Sequence, residues 1–241
     1  MSVSHAAITR FAEPRGNMVT KRQLREELGL PNRTMSRYVQ ESFLVPLTHD
    51  VFGVALAKPT ALHYMRAACL TWPDVVIGDS TAAGIWGLRR ARRDSFELLV
   101  PTGRKVHVPH AHIRRSNRLT EEDIVEHLDG LRATTPARTL FDQAAVLDPF
   151  ALRSMAEDAL NKELCTMAGL REVAGRLAGR GRGGTDLFRR YLDDRPDDQA
   201  PVMSELELRL ADALRSAGIP VEQQRKVVLP TGRVVFLDLA I

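Results

Sequence analysis

Asp238, set in the apolar run VVFLDLAI, is the residue whose type and surroundings most directly suggest chemistry. Strand interiors seldom carry a carboxylate, because β-propensity is poor and a desolvated acid is costly unless it is paired or holds a metal. A helix followed by a strand, a turn and a strand with a mid-strand acid is how a metal-dependent nuclease core begins. In such a core the Asp and a second acid on the neighbouring strand, usually with a Lys nearby, hold a divalent ion that activates water for phosphodiester attack. Glu207 or Glu205, on the helix before the hairpin, is available as a further ligand. No next strand follows to carry the second acid, so Mg²⁺ is expected only where such a domain is complete. The competing reading, an ordinary strand-end acid that is exposed or is paired with Arg225 or Lys226, is favoured. Asp238 and Glu207 therefore stand as vestigial catalytic candidates, with Asp238 also the candidate metal ligand and no cofactor expected.

A second set of residues suits a different chemistry. In NRTMSRYVQESF, Met35, Val39 and Phe43 fall on one side of a helix, and Arg33, Thr34, Ser36, Arg37 and Gln40 supply a donor-rich opposite side suited to phosphates and base edges in a major groove. His49 and Asp50 lie in the THD tip between two apolar runs, where they would meet the DNA backbone. The competing reading is the solvated face of an ordinary helical hairpin. His107, His110 and His112 cluster, and His110 and His112 would share one face of a strand, but without a Cys or acid at ligand spacing they read as solvated strand histidines rather than a zinc site. GRGRGGT lacks the Gly-Lys-Ser/Thr ending of a phosphate-binding loop and reads as a basic turn. Arg89, Arg90, Arg92 and Arg93, with Arg114, Arg115 and Arg118, form the densest positive runs, as a DNA footprint or a solvated charge run. Ser80 and Ser204 have no His partner at a recognisable spacing.

The elements that must position these residues follow from periodicity. A short helix spans residues 4–13 and ends at Pro14 and Gly16. Thr20, with Gln23 three residues on, caps a helix through Leu24 and Leu28 that Gly29 terminates, and Asn32 caps the next. FLVPL and VFGVAL then form a two-stranded wing. TALHYMRAACLTW and STAAGIWGL are helical, the latter capped by Asp79 or Ser80. FELLVP, KVHVP and HAHIRRS alternate like strands of a small mixed sheet. Thr135 caps a helix with Pro136 at its first position, and PFALRSMAEDALNKEL, TMAGLREVAGRL and GTDLFRRYL continue helically. DDRPDDQAPVMS reads as a linker. A Ser204-to-Glu207 capping box opens an amphipathic helix, and a hairpin turning at Pro230, Thr231 and Gly232 follows.

The 241 residues are 44% hydrophobic and 27% charged, enough for one large or two to three small globular domains and unlike a disordered chain. Thirty-four Lys and Arg against 30 Asp and Glu leave a net charge of +4, rich in clustered Arg, which fits nucleic acid better than a membrane. Cys69 and Cys165 have no paired spacing and read as reduced core thiols. No leader pattern and no membrane-length apolar window are visible, so a cytoplasmic location is expected.

The order MVTKRQLREELGL, FLVPLTHDVFGV, IGDSTAAGIWGL, IRRSNRLTEEDIV, LRATTPARTLFDQAAVLD and GRGGTDLFRRYL resembles the actinobacterial AbiEi-type antitoxin and transcriptional-regulator family, over about residues 5–241. Thr135-Pro136-Ala137-Arg138-Thr139-Leu140 with Asp142 is the most specific of these motifs. The resemblance implies a DNA-binding, autorepressing winged helix, a double-stranded DNA partner and, for a type IV system, a cognate nucleotidyltransferase toxin. It also implies a very-short-patch-repair-like endonuclease beginning at SELE and FLDLA, in which Asp238 matches the first strand acid. Two departures stand out. Gly16-Asn17-Met18-Val19-Thr20 lacks a second Gly usual in relatives, and Gln40-Glu41-Ser42-Phe43 lacks a Gly common before the wing.

The expected fold is therefore α+β: a winged helix-turn-helix over residues 1–57, a central small mixed sheet with helices and a helical segment over 58–195, and an incomplete restriction-endonuclease-like αββ unit over 196–241. The expected function is a DNA-binding regulator of antitoxin type. The alternative is a metal-dependent endonuclease of the PD-(D/E)xK class, truncated here. An unpaired β-edge at 234–241 would invite homodimer formation.

Overall fold

The computed structural model describes residues 3–92, 96–127, 130–179, 181–195, 200–202 and 204–241. Arg93 and part of the expected linker lie outside the described residues. The chain divides into two compact units, residues 1–78 with 94–133 and residues 79–93 with 134–241.

The first unit opens with α1 (His5–Ala12), capped by Ser4, then β1 (Met18–Thr20), α2 (Lys21–Glu26), α3 (Asn32–Gln40), β2 (Leu44–Pro46) and β3 (Val51–Val54). The strands form an antiparallel sheet in the order β1-β3-β2, with Val19 opposite Phe52 and Val45 opposite Gly53. Ile8, Val19, Leu24, Leu30, Met35, Tyr38, Leu44 and Val54 close one core beneath it. The Thr20 capping box is formed: its hydroxyl accepts from the Gln23 backbone amide at 3.1 Å, and the Gln23 side-chain oxygen Oε1 accepts from the Thr20 backbone amide at 2.9 Å. Asn32 does not cap α3; it is the first helical residue, and Pro31, whose fixed φ of −66° is already extended-compatible, occupies the cap. Val39 and Phe43 pack against this core as the helical spacing expects, and Tyr38 is buried with Met35 because its ring packs on Phe43 and its hydroxyl donates to the Val3 carbonyl at 2.9 Å.

The two segments that depart from the resembled pattern share a backbone feature. Asn17 and Ser42 both sit in the left-handed region, at φ 57° and 56°. Ser42 follows the α3 C-cap in a Schellman turn: the Phe43 amide donates to the Tyr38 carbonyl at 2.9 Å and the Ser42 amide to the Val39 carbonyl at 3.0 Å. Glycine adopts that backbone freely, whereas serine is strained in it.

The unit continues through α4 (Ala61–Thr71), β4 (Val76–Ile77), β5 (Glu97–Pro101), β6 (His112–Ser116), β7 (Ile124–His127) and β8 (Leu131–Thr134). The order β6-β5-β4-β8-β7 makes a mixed sheet, antiparallel at β4–β5 and parallel at β4–β8 and β5–β6. KVHVP is not a strand but a connection, and His110 lies in a turn at φ 64° rather than beside His112 on a strand. β7 and β8 are strands that alternation did not single out.

The second unit holds α5 (Asp79–Ile85), α6 (Pro136–Gln143), α7 (Pro149–Asn161), α8 (Met167–Leu177), α9 (Thr185–Asp194) and α10 (Glu205–Ser216), then the antiparallel hairpin β9 (Glu222–Val228) and β10 (Val234–Ala240). Asp79 and Ser80 are within α5, not before it; the Ser80 hydroxyl accepts from the Arg92 amide at 2.9 Å. Leu140, Phe141, Leu152, Met155, Leu170 and Phe188 form the helical core. The TPARTLFD segment is architectural. Thr135 caps α6 with Pro136 in its first turn, the buried Arg138 donates to Asp142 at 2.9 Å, and the Trp86 indole donates to the Thr134 carbonyl at 2.8 Å. The GRGGT turn serves packing too. A side chain on Gly184, at φ 78°, would lie 2.4 Å from the Ala144–Ala145 backbone, while Arg182 donates to Asp142 at 3.1 Å.

Candidate nucleic-acid interface

α3 carries two arginines and no acid, and its apolar side is consumed by the core. Its remaining face is open: Arg33, Ser36, Arg37 and Gln40 are exposed and Thr34 is half-buried. Arg37 lies 5.2 Å over the Tyr38 ring and 3.5 Å from Glu41, an exposed pairing worth little, so its guanidinium stays available. Arg33 has no ion pair or hydrogen bond among the described residues. The capped start of α2 is tied to the tip between β2 and β3, since the Lys21 amide donates to the Asp50 carbonyl at 2.8 Å. That bond fixes the tip relative to the helices, with Lys21, Arg22 and Arg25 exposed on α2.

His49 is exposed at the tip, its ring 5.3 Å from Trp72, on the wall of a cavity of about 470 Å³ shared with Lys105 and His107. No local pattern joins residues 49, 72 and 105–107, so sequence reading does not find this grouping. His107 and His112 do not come together with His110, which meets the Tyr64 ring edge-on at 6.0 Å. Among the described residues no group of three or more His, Cys, Asp or Glu could hold a metal.

Asp238 is exposed, as the strand-end reading allows, and is not a desolvated carboxylate. It pairs with neither Arg225 nor Lys226; Arg225 turns to Glu222 at 3.6 Å. Its partner is Gln224, whose side-chain nitrogen donates to Asp238 Oδ1 and to Glu207 Oε2, both at 3.2 Å. Gln224 lies opposite Asp238 in the hairpin with φ 54°, a strained backbone that interrupts the β9–β10 pairing there. The structure thus does bring Glu207 and Asp238 together, through a buried neutral amide. An N–H donor between two carboxylates does not fit an oxygen-only Mg²⁺ site. The Ser204-to-Glu207 box is only half formed for the same reason: Ser204 accepts from the Glu207 amide at 3.1 Å, while the Glu207 carboxylate faces Gln224. Glu205 is engaged elsewhere. Hydrogen bonds from Arg90, at 2.6 Å, and from Arg209 hold its carboxyl down to about 2.

Cys69 and Cys165 are free and half-buried, and burial pushes the Cys165 thiol up to about 12. No helix among the described residues is long and apolar enough to cross a membrane.

The architecture is a mixed α+β chain built of helices and small sheets. Residues 66–183 match the model of the AbiEi antitoxin C-terminal domain. The fold is also similar to the crystal structure of the RV2827C protein from Mycobacterium tuberculosis, with a TM-score of 0.52 at 14% identity over 92% of this chain and 87% of that one. No curated protein matches.

Proposed function

We propose that the chain is a cytoplasmic, DNA-binding antitoxin that represses its own transcription, with residues 1–57 acting as a winged helix-turn-helix. In this reading α3 enters the major groove of double-stranded DNA, Arg33, Thr34, Ser36, Arg37 and Gln40 meet base edges and phosphates, and His49 at the wing tip meets the backbone. Residues 58–195 are the antitoxin domain that partners a nucleotidyltransferase toxin, and 196–241 a nuclease-like unit. The observation that carries the reading is the acid-free, donor-rich face of α3, exposed above a closed core.

Fluorescence anisotropy with the DNA upstream of its own gene tests it. Binding should fall steeply with salt, because phosphate neutralisation releases counterions. Replacing Arg33 or Arg37 by Ala should weaken binding; a residue that contacts phosphate should also reduce the log–log salt slope by about 0.9. Absent or salt-insensitive binding, or affinity unchanged in the double variant, would place the DNA surface elsewhere.

A further inference from the structure

The second unit contains a cavity of about 660 Å³ between α7, α9, α10 and β9 that the antitoxin reading does not use. Its size falls within the range of small-molecule sites. Phe150, Leu187, Tyr191 and Leu208 give it an apolar floor, and arginines stand along its walls.

One wall is a continuous chain of polar contacts. Arg153 donates to Asp212 Oδ2, Arg215 lies 3.7 Å from Asp212 Oδ1, and Arg215 donates to the Gln223 side-chain oxygen at 3.3 Å. That last bond fixes the orientation of the Gln223 amide and turns its nitrogen away from Arg215. At the two ends of the chain, Arg153 Nε and Gln223 Nε2 are both buried and have no acceptor. Buried donors without an acceptor cost about 1–3 kcal/mol each, so two on residues that line one cavity point to an acceptor that arrives from outside.

The acids of the cavity do not supply it. Glu157 is buried and saturated, accepting from Tyr191 Oη at 3.1 Å, Arg195 Nε at 2.7 Å and the Val202 amide at 3.0 Å. Asp212 is held between Arg153 and Arg215. Asp194 stands on the exposed rim, one turn from Arg190 on α9, which donates to the Asp186 carbonyl at 3.4 Å. Four arginines against three acids leave the lining cationic.

We infer that this cavity binds a small ligand with an oxyanion and a flat apolar body. The oxyanion accepts from Arg153 Nε and Gln223 Nε2, and the body lies on Phe150 and Leu187. A phosphate monoester and a carboxylate share the required chemistry; donors without a competing free acid recognise either.

Isothermal titration calorimetry on the full chain, with phenyl phosphate, benzoate and neutral benzyl alcohol as probes, tests the site. Saturable binding of either anionic probe and none of benzyl alcohol is expected, and the tighter anion identifies the oxyanion. Gln223→Glu, which replaces the free donor by an acid at a half-buried position, should weaken binding at least tenfold. Arg153→Lys, which keeps the charge but loses Nε, should weaken it roughly tenfold. Thermal melts of both variants separate loss of the site from loss of the fold. No saturable binding of either anion at millimolar concentration, or binding that both folded variants retain, would overturn the inference and leave the cavity as a water-filled crevice.

Discussion

The exposed face of α3 and the exposed face of β10 are opposite in kind. Beneath α3, Leu24, Leu30, Met35 and Tyr38 are at most 4% exposed, so its open side chains sit on a finished core and are all polar. On the hairpin, Val228, Val234, Phe236 and Leu237 are between 44% and 63% exposed, and among the described residues β10 pairs with no strand other than β9. A two-stranded sheet is marginal alone, and an unpaired apolar strand is a pairing edge. The contrast teaches that openness has two meanings here: on α3 it offers hydrogen-bond donors at no cost to stability, whereas on β10 it leaves apolar surface whose burial would stabilise the unit.

The strongest way to break this contrast is to truncate one residue in each region. Leu24→Ala, beneath the α2–α3 pair, should cost about 2–5 kcal/mol in urea unfolding, through lost transfer energy and a cavity. Leu237→Ala, already half-exposed, should cost less than about 1 kcal/mol. Equal costs would mean that β10 is covered in solution, and the contrast would fall.

Next in size is Gln224→Glu. In the native hairpin one neutral amide satisfies Glu207 and Asp238 together. A third carboxylate there removes both hydrogen bonds and adds like charge, with an expected loss of roughly 1–3 kcal/mol at neutral pH. Thermal melts at pH 7 read this directly, and an unchanged midpoint would show that the two hydrogen bonds carry no stability.

Much of this was legible in the sequence, and the part that was not has identifiable causes. Thr20 with Gln23 and Thr135 with Pro136 announce their helices because capping is local, set by residues three apart. The open donors of α3 were visible for the same reason: helical period separates Arg33 and Arg37 from Met35. KVHVP alternates yet is no strand, since β6 takes its place beside β5 and strand pairing is a tertiary decision. Gln224 as the partner of Asp238 could not be read at all. Cross-strand register suggests that pairing only after the hairpin is built, and nothing in QQRKVV marks one Gln as strained. The cavity bounded by Arg153 and Gln223 likewise joins residues 70 positions apart, beyond the reach of any local period.

The smallest effect sharpens the finished side of the contrast. Ser42 occupies the left-handed position of the Schellman turn that sends the chain from α3 into β2, and its side chain is exposed. Ser42→Gly relieves backbone strain but also loosens the unfolded chain, and these terms oppose each other. At φ 56° the strain outweighs the added unfolded-state freedom, so a net gain of about 0.5 kcal/mol is expected. Asn17→Gly, at nearly the same φ, should gain less, because Asn tolerates the left-handed region far better than Ser. Urea midpoints for the two variants, with the unfolding slope unchanged, check the ordering. If Ser42→Gly destabilises instead, the turn is held by its side chain, and the route from α3 to β2 depends on more than the backbone geometry at this position.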